Sequence, residues 1–208
     1  MELIKNYFPQ LSEQQYEQLR QLGLLYQNWN NKINVISRKD IDHVYDHHIL
    51  HAMAIARFVR FQPGAKILDL GTGGGLPGLP MAILFPETNF RLIGGIRKKI
   101  TVVKAIKEEL GLKNVVAQHV RAEELKERFD FVICRAVASL DKLFAWSMPL
   151  LSKKEKHAIP NGLITLKGGN LEAEIKALPR GSYVDIQPLN EFFQEPFFDE
   201  KVLVYVQG

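Results

Sequence analysis

The stretch with the most chemical content runs Asp69-Leu70-Gly71-Thr72-Gly73-Gly74-Gly75-Leu76-Pro77-Gly78. It follows the apolar run Lys66 to Leu70, so an acid near the end of a strand passes directly into glycines. Glycine admits backbone conformations closed to other residues and lets a ligand approach the main chain, at a cost in backbone entropy. So many adjacent glycines point to a bound cofactor rather than to a plain turn. Pro77 suits a first helical turn, where its missing N–H is no loss. Three cofactor classes compete for such a loop. The phosphate loop of nucleotide hydrolases ends in Gly-Lys-Ser or Gly-Lys-Thr, and the absence of a lysine here excludes it. A dinucleotide fingerprint can be laid on Gly73, Gly75 and Gly78, but it begins late, and no acid closes the following strand. S-adenosylmethionine is cationic and carries no phosphate. It gains from a carboxylate such as Asp69, which would repel a pyrophosphate. The order of Asp69, Gly71, Gly73 and Gly75 therefore favours S-adenosylmethionine, with a dinucleotide as the alternative.

These residues need a scaffold, and the sequence describes one. Ser12 and Gln15 form a capping box, and Tyr16, Leu19, Leu22, Tyr26 and Trp29 recur at helical spacing as far as Asn30-Asn31. A second helix is predicted from Asp40 to Val59, burying Ile41, Val44, Ile49, Met53, Ala56 and Val59. After Gln62-Pro63-Gly64 the pattern changes to short apolar runs at 66–70, 89–93, 115–120, 129–134, 163–166, 183–186 and 202–206. Helical stretches are predicted near 78–85, 97–110, 122–127 and 139–151. This alternation predicts an α/β fold with a mainly parallel twisted sheet and ligands at the carboxyl ends of its strands. The last two runs, with turn residues Pro188 and Asn190 between them, predict an antiparallel edge pair. The domain reading is a helical extension over 1–62 and a cofactor-binding domain over 63–208.

Composition bounds the rest. The 208 residues are 46% hydrophobic and 24% charged, ordinary for a globular chain. No apolar run reaches the ~18 residues a bilayer span needs, and Met1 to Lys5 lack the features of a signal peptide, so a cytoplasmic location without membrane contact is expected. A single cysteine, Cys134, permits neither an internal disulfide nor a multi-cysteine metal site. Its apolar surroundings, Phe131-Val132-Ile133, read as core. His43, His47 and His51 recur at four-residue spacing near Asp42 and Asp46, but the Glu of a zincin helix is missing, and no metal is expected. The net charge of +4 is compatible with a nucleic-acid partner without requiring one. Basic clusters occur at Arg38-Lys39, Arg57 with Arg60, Arg97-Lys98-Lys99 with Lys104, and Lys153-Lys154 with Lys156.

Several separated motifs, in order, resemble the RsmG (GidB) methyltransferases. They are Trp29-Asn30 with Asn34, His48-Ile49-Leu50, Asp69-Leu70-Gly71-Thr72-Gly73, Leu76-Pro77-Gly78, Arg121-Ala122-Glu123-Glu124, Arg135-Ala136 and Leu166-Lys167-Gly168. The resemblance implies a Rossmann-like S-adenosylmethionine-binding domain behind a helical extension. It also implies methylation of N7 of one guanine, guanine 527 in that family, of 16S ribosomal RNA. Its partner would be small-subunit ribosomal RNA or a ribosomal particle, and a monomer is the favoured state. By the same resemblance Gly71 and Leu76 line the cofactor loop, Ala122 and Glu123 flank the adenine, and Arg135 stands at the cofactor and substrate end of the fourth strand.

The residues themselves are compatible with that target. Methyl transfer from a sulfonium is an in-line displacement, in which the protein positions the nucleophile and stabilises changing charge. Guanine N7 carries a lone pair and no proton, so it needs neither a general base nor a covalent intermediate. The cysteine required for C5 of a pyrimidine is missing from any reactive setting. The Asn/Asp-Pro-Pro-aromatic loop of exocyclic-amine enzymes is replaced by Arg135-Ala136-Val137-Ala138. Arg135 is expected in the ligand crevice, reaching the cofactor carboxylate or guanine O6. Arg121, Lys167, Arg97 and Lys98 are candidates for RNA phosphates. Two departures from the family's usual pattern stand out: Gly94 stands where the resemblance implies an acid for the ribose hydroxyls, and His51-Ala52 stands where it implies Asp-Ser. A dinucleotide-dependent oxidoreductase, or a noncatalytic RNA-binding module with weakened cofactor affinity, are the alternatives.

Overall fold

The computed structural model describes residues 1–208. Two helices open the chain, α1 (Glu2–Tyr7) and α2 (Glu13–Asn30). The capping box forms as the sequence predicts: the Ser12 hydroxyl accepts from the Gln15 N–H at 3.3 Å, and the Gln15 side chain accepts from the Ser12 N–H at 3.0 Å. Past the helix, the Asn30 side chain accepts from Val35 N–H and Ile36 N–H at 2.8 and 2.9 Å, which turns the chain.

The predicted helix from Asp40 to Val59 is not one regular helix. It is a 3-10 turn (Ile41–His43), a π-helical turn (Val44–Leu50) and two short α-helical turns, α3 (His51–Met53) and α4 (Ile55–Phe58). A π turn is wider than an α turn and steps through a smaller angle per residue, so adjacent side chains diverge less. Adjacent His47 and His48 accordingly both reach the one carboxylate of Asp40, at 2.7 and 2.6 Å.

Beyond Pro63-Gly64 the strands and helices alternate as β1 (Lys66–Leu70), α5 (Gly78–Leu84), β2 (Asn89–Ile93), α6 (Arg97–Glu109), β3 (Val115–Gln118) and β4 (Phe131–Arg135). There follow α7 (Leu140–Ser147), β5 (Gly162–Gly168), α8 (Glu172–Lys176), β6 (Val184–Pro188) and β7 (Lys201–Gln207). The sheet order is β3-β2-β1-β4-β5-β7-β6. The first five strands are parallel, and β7 runs antiparallel between β5 and β6. The helix predicted over 122–127 shrinks to a 3-10 turn at Ala122–Glu124, because only Ala122 of that turn is buried. The stretch 139–151 divides at a 3-10 turn, Met148–Leu150, whose Pro149 cannot extend the helical ladder. No helix is long and apolar enough to cross a membrane.

Side chains alternate across each strand, and this parity decides what faces what. Ile67 of β1 and Phe131 and Ile133 of β4 belong to one core with Ile4, Leu19, Leu22 and Tyr26 of the helical extension. Leu68, Leu70, Val132 and Cys134 pack on the opposite face with Leu140 and Leu143. The extension therefore shares a core with the sheet. A clasp joins the chain's early and late segments: the Tyr7 hydroxyl donates to the Glu195 carboxylate at 3.0 Å and accepts from the Gln194 N–H at 2.8 Å.

Candidate cofactor cleft

At the carboxyl ends of β1, β2 and β3 the chain leaves a cleft of about 280 Å³. Leu70, Gly71, Ile93 and Gly94 form its floor, Val120 to Glu123 one side, and Trp146 of α7 an aromatic wall. A second hollow of about 270 Å³ adjoins it through Gly71, Gly94 and Gly95, bordered by Gly73, Ile96, Lys99, Ala136 and Val137. Together they make an elongated trough, apolar and aromatic at one end and flanked by glycines in the middle. Gly71 has a φ of +73°, and a Cβ there would stand 2.7 Å from a γ carbon of Val137. Glycine is what lets the floor of the trough pass so close to its wall.

Asp69 corrects the sequence expectation. It is fully buried beneath the loop, on the strand face that also carries Ile67. One of its oxygens accepts from the Thr72 hydroxyl at 2.5 Å and from the Gly78 N–H at 2.8 Å, so the acid staples the loop to the start of α5. Burial pushes its carboxyl up to about 7, against those two bonds and the nearby charge of Arg135. Gly75 and Leu76 are also turned inward: a Cβ on Gly75 would collide with Leu79, and Leu76 joins the core. Of the predicted cofactor residues, Gly71, Ala122 and Glu123 border the aromatic end and Gly73 the second hollow.

Arg135 ends β4 on the same face as Asp69, which is the face the extension covers. Its guanidinium donates to the His47 carbonyl at 3.3 Å and to His48 Nδ1 at 3.1 Å. Expected to point into the ligand crevice, Arg135 is instead engaged by the π-helical turn of the extension. Burial lowers its pKa, opposed by Tyr26, Asp69 and Asp40. The next residue, Ala136, takes a left-handed φ of +53° and leads into Val137 at the trough wall.

The family model described as GidB, rRNA small subunit methyltransferase G, matches residues 15–192. The chain belongs to this family. It is similar to the ribosomal RNA small subunit methyltransferase G of Bacteroides fragilis, 51% identical over 206 residues and 99% of each chain. The protein of that name from Flavobacterium johnsoniae is 48% identical, over 99% of this chain and 97% of the relative. Among solved structures the fold resembles precorrin-6y C5,15-methyltransferase of Geobacter metallireducens, with a TM-score of 0.56 at 11% identity over 85% of this chain and 92% of that one. It also resembles Aeropyrum pernix fibrillarin in complex with S-adenosyl-L-methionine, with a TM-score of 0.56 at 15% identity over 76% and 73% of the two chains. The resemblance carried by the separated motifs and the expected Rossmann-like methyltransferase fold both hold.

In this GidB-family chain the basic residues divide. Arg121 and Lys99 border the trough, and Arg97 and Lys98 are exposed at the start of α6 beside it. Cations at a helix amino terminus oppose the helix dipole, so helix stability does not account for them. Lys167 is a correction: its parity points it to the α8 side, where it pairs with Glu174 at 2.5 Å and donates to the Ala138 carbonyl at 2.8 Å. Lys153 and Lys154, like Arg60, line hollows at the opposite ends of the strands, away from the glycine loop.

The three spaced histidines do not form one set. His43 and His47 stack with centroids 4.2 Å apart and planes 10° from parallel, next to Asp46. His43 Nδ1 and His47 Nε2 both approach one oxygen of Asp46, at 3.1 and 3.6 Å. His51 is buried, edge-on to Phe198 and to the Phe197 ring on which His47 stacks. Sequence reasoning missed Trp146, whose helical spacing carried no sign of a ligand, and it missed the hold of Asp40 and His48 on Arg135.

Proposed function

We propose that this chain transfers a methyl group from S-adenosylmethionine to N7 of a guanine in 16S ribosomal RNA, guanine 527 by family resemblance. The observation that carries the reading is the trough at the ends of β1, β2 and β3, with Gly71 and Gly94 in its floor and Trp146 in its wall. S-adenosylmethionine is the cofactor, and it supplies an electrophilic methyl group. The chain's residues fit it: Gly71 leaves main chain open to a ligand, Trp146 and Ala122 offer a flat apolar surface to an adenine, and Glu123 places a carboxylate where adenosine can donate. Gly73 would border the amino-acid end.

The choice of N7 is supported by what the trough does not require of its walls. Cys134, the nucleophile a pyrimidine C5 would demand, is buried, and its thiol is pushed up to about 12. An N7 target asks for orientation and exclusion of water alone. Arg97, Lys98 and Arg121, exposed at the rim, would hold RNA phosphates and fix the register of the guanine. In this reading residues 1–62 form a helical support for the cofactor domain of 63–208.

Transfer of a radiolabelled methyl group to small-subunit ribosomal RNA, presented naked and as a particle, followed by mapping of the labelled nucleotide, tests the proposal. Label at N7 of a single guanine is the expected outcome, and label on an exocyclic amine or a pyrimidine would overturn it. Gly94 gives one specific reason for a second reading, a noncatalytic RNA-binding module, since no acid stands at the exit of β2. RNA binding without transfer at saturating cofactor would favour that reading. Binding of NAD in preference to S-adenosylhomocysteine would instead favour the oxidoreductase.

A further inference from the structure

We propose that Asp40 and His48 are positioning residues for methyl transfer, acting through Arg135 to fix the exit of β4 at the wall of the trough. The proposal rests on the methyltransferase reading above. Both contacts of the Arg135 guanidinium come from the π-helical turn of the extension, the His47 carbonyl and the His48 ring. Arginine has no acceptor, so His48 Nδ1 must accept and its proton must sit on Nε2. That nitrogen lies 2.6 Å from one oxygen of Asp40, which accepts from it. The other Asp40 oxygen lies 2.7 Å from His47 Nδ1. One arrangement of protons satisfies the whole chain from Asp40 through His48 to Arg135. A second tautomer of His48 would set two N–H donors against each other.

The His48 side chain is 13% exposed, and buried polar groups of this kind can specify an orientation. What they orient is local. Arg135 is followed by Ala136, held left-handed, and by Val137, whose γ carbons leave no room for a Cβ on Gly71. Tyr26 of the extension and Asp69 of β1, both fully buried, also act on Arg135 electrostatically. The guanidinium is therefore held between the extension and the loop-bearing strand. Freed from His48, it would let the turn at Ala136 and Val137 shift against the cofactor and the incoming base.

Full-length variants His48→Leu, His48→Gln and Asp40→Asn separate positioning from simple packing. Glutamine can accept from Arg135 through its carbonyl and donate to Asp40 through its amide, whereas leucine fills the space and does neither. The expected result is that His48→Leu remains folded and binds S-adenosylhomocysteine within about twofold of wild type, while kcat falls roughly 10- to 100-fold, the scale of a small misplacement in a reacting pair. His48→Gln should recover most of that loss, and Asp40→Asn should lower kcat by a smaller factor. Unchanged kcat in folded His48→Leu, or an equal loss in the leucine and glutamine variants, overturns the positioning role. If His48→Leu unfolds, the pair His48→Gln and Asp40→Asn decides: an Asp40→Asn protein with wild-type kcat overturns it. A wild type that transfers no methyl group overturns the underlying methyltransferase reading instead, and this proposal with it.

Discussion

Gly94 and Gly71 are both glycines of the trough floor, and the structure gives them opposite tolerances. Gly94 does not adopt a left-handed backbone, and a Cβ built there meets Ile100 at 3.4 Å, an ordinary contact. Gly94→Asp should therefore fold normally and offer a carboxylate to the ribose hydroxyls at the exit of β2. A hydrogen bond to a charged acceptor contributes about 1.5 to 3 kcal/mol, so the dissociation constant for S-adenosylhomocysteine should fall by roughly ten- to a hundred-fold. Calorimetric titration of both proteins measures it, and equal or weaker binding by the variant would mean that the ribose lies elsewhere. Gly71 combines a φ of +73° with a collision against Val137. Gly71→Val should abolish detectable binding and also lower stability by more than about 1 kcal/mol, since a β-branched residue resists that backbone. Retained affinity in a titration of the variant would remove Gly71 from the cofactor floor.

At the scale of elements, the parity of β1, β4 and β5 was legible in the sequence and assigns the three charged residues near their ends. Asp69 shares a face with Ile67, and Arg135 with Phe131 and Ile133, so both point to the extension, while Lys167 points to α8. A strand-end position suggests the ligand side for all three, and the parity of the strands overrides it. The existence and order of the strands were readable because buried parallel strands are short apolar runs. The π-helical turn was not readable, since its pattern of Val44, Ile49 and Met53 fits an α-helix as well. That turn also carries a pH signature. Burial pushes the His48 imidazole down to about 4 and that of the adjoining His51 well below its ordinary value. Both stay neutral in the fold while the unfolded chain takes up protons below ~6.5. Their contribution is complete above that pH and is lost as pH falls toward 4, by about 1.4 kcal/mol per pH unit for each group. Asp69, raised to about 7, works in the other direction, so a comparison of variants isolates the histidines. His51→Leu, which removes a buried nitrogen without a partner, should gain stability relative to wild type as pH drops from 7.5 to 5.5. Urea unfolding at the two pH values reads the gain, and parallel losses in both proteins would contradict it.

For the whole molecule, the charge that matters is the part gathered at one end of the sheet. With Arg97, Lys98 and Arg121 at the trough rim and Lys153 and Lys154 at the far end, RNA affinity should depend on the first group alone. Each phosphate contact to a single strand contributes about 0.7 to the slope of log affinity against log salt. Replacing both Arg97 and Lys98 by glutamine should reduce that slope by roughly 1.4, while replacing Lys153 and Lys154 should leave it unchanged. Filter binding between about 50 and 200 mM salt tests both halves. The clasp of Tyr7 on Gln194 and Glu195 has a consequence in time rather than in space. Ile4 and Phe8 belong to one core with Phe193 and Phe198, and Tyr7 and Glu195 of the clasp lie 188 residues apart, so during synthesis the earlier side chains wait for these later partners. At about 5 to 20 residues per second, the part of α1 that meets this late segment waits roughly ten seconds or more with its apolar surface uncovered. Over that interval a nascent chain of this protein offers the uncovered patch to chaperones and to its neighbours on the same message.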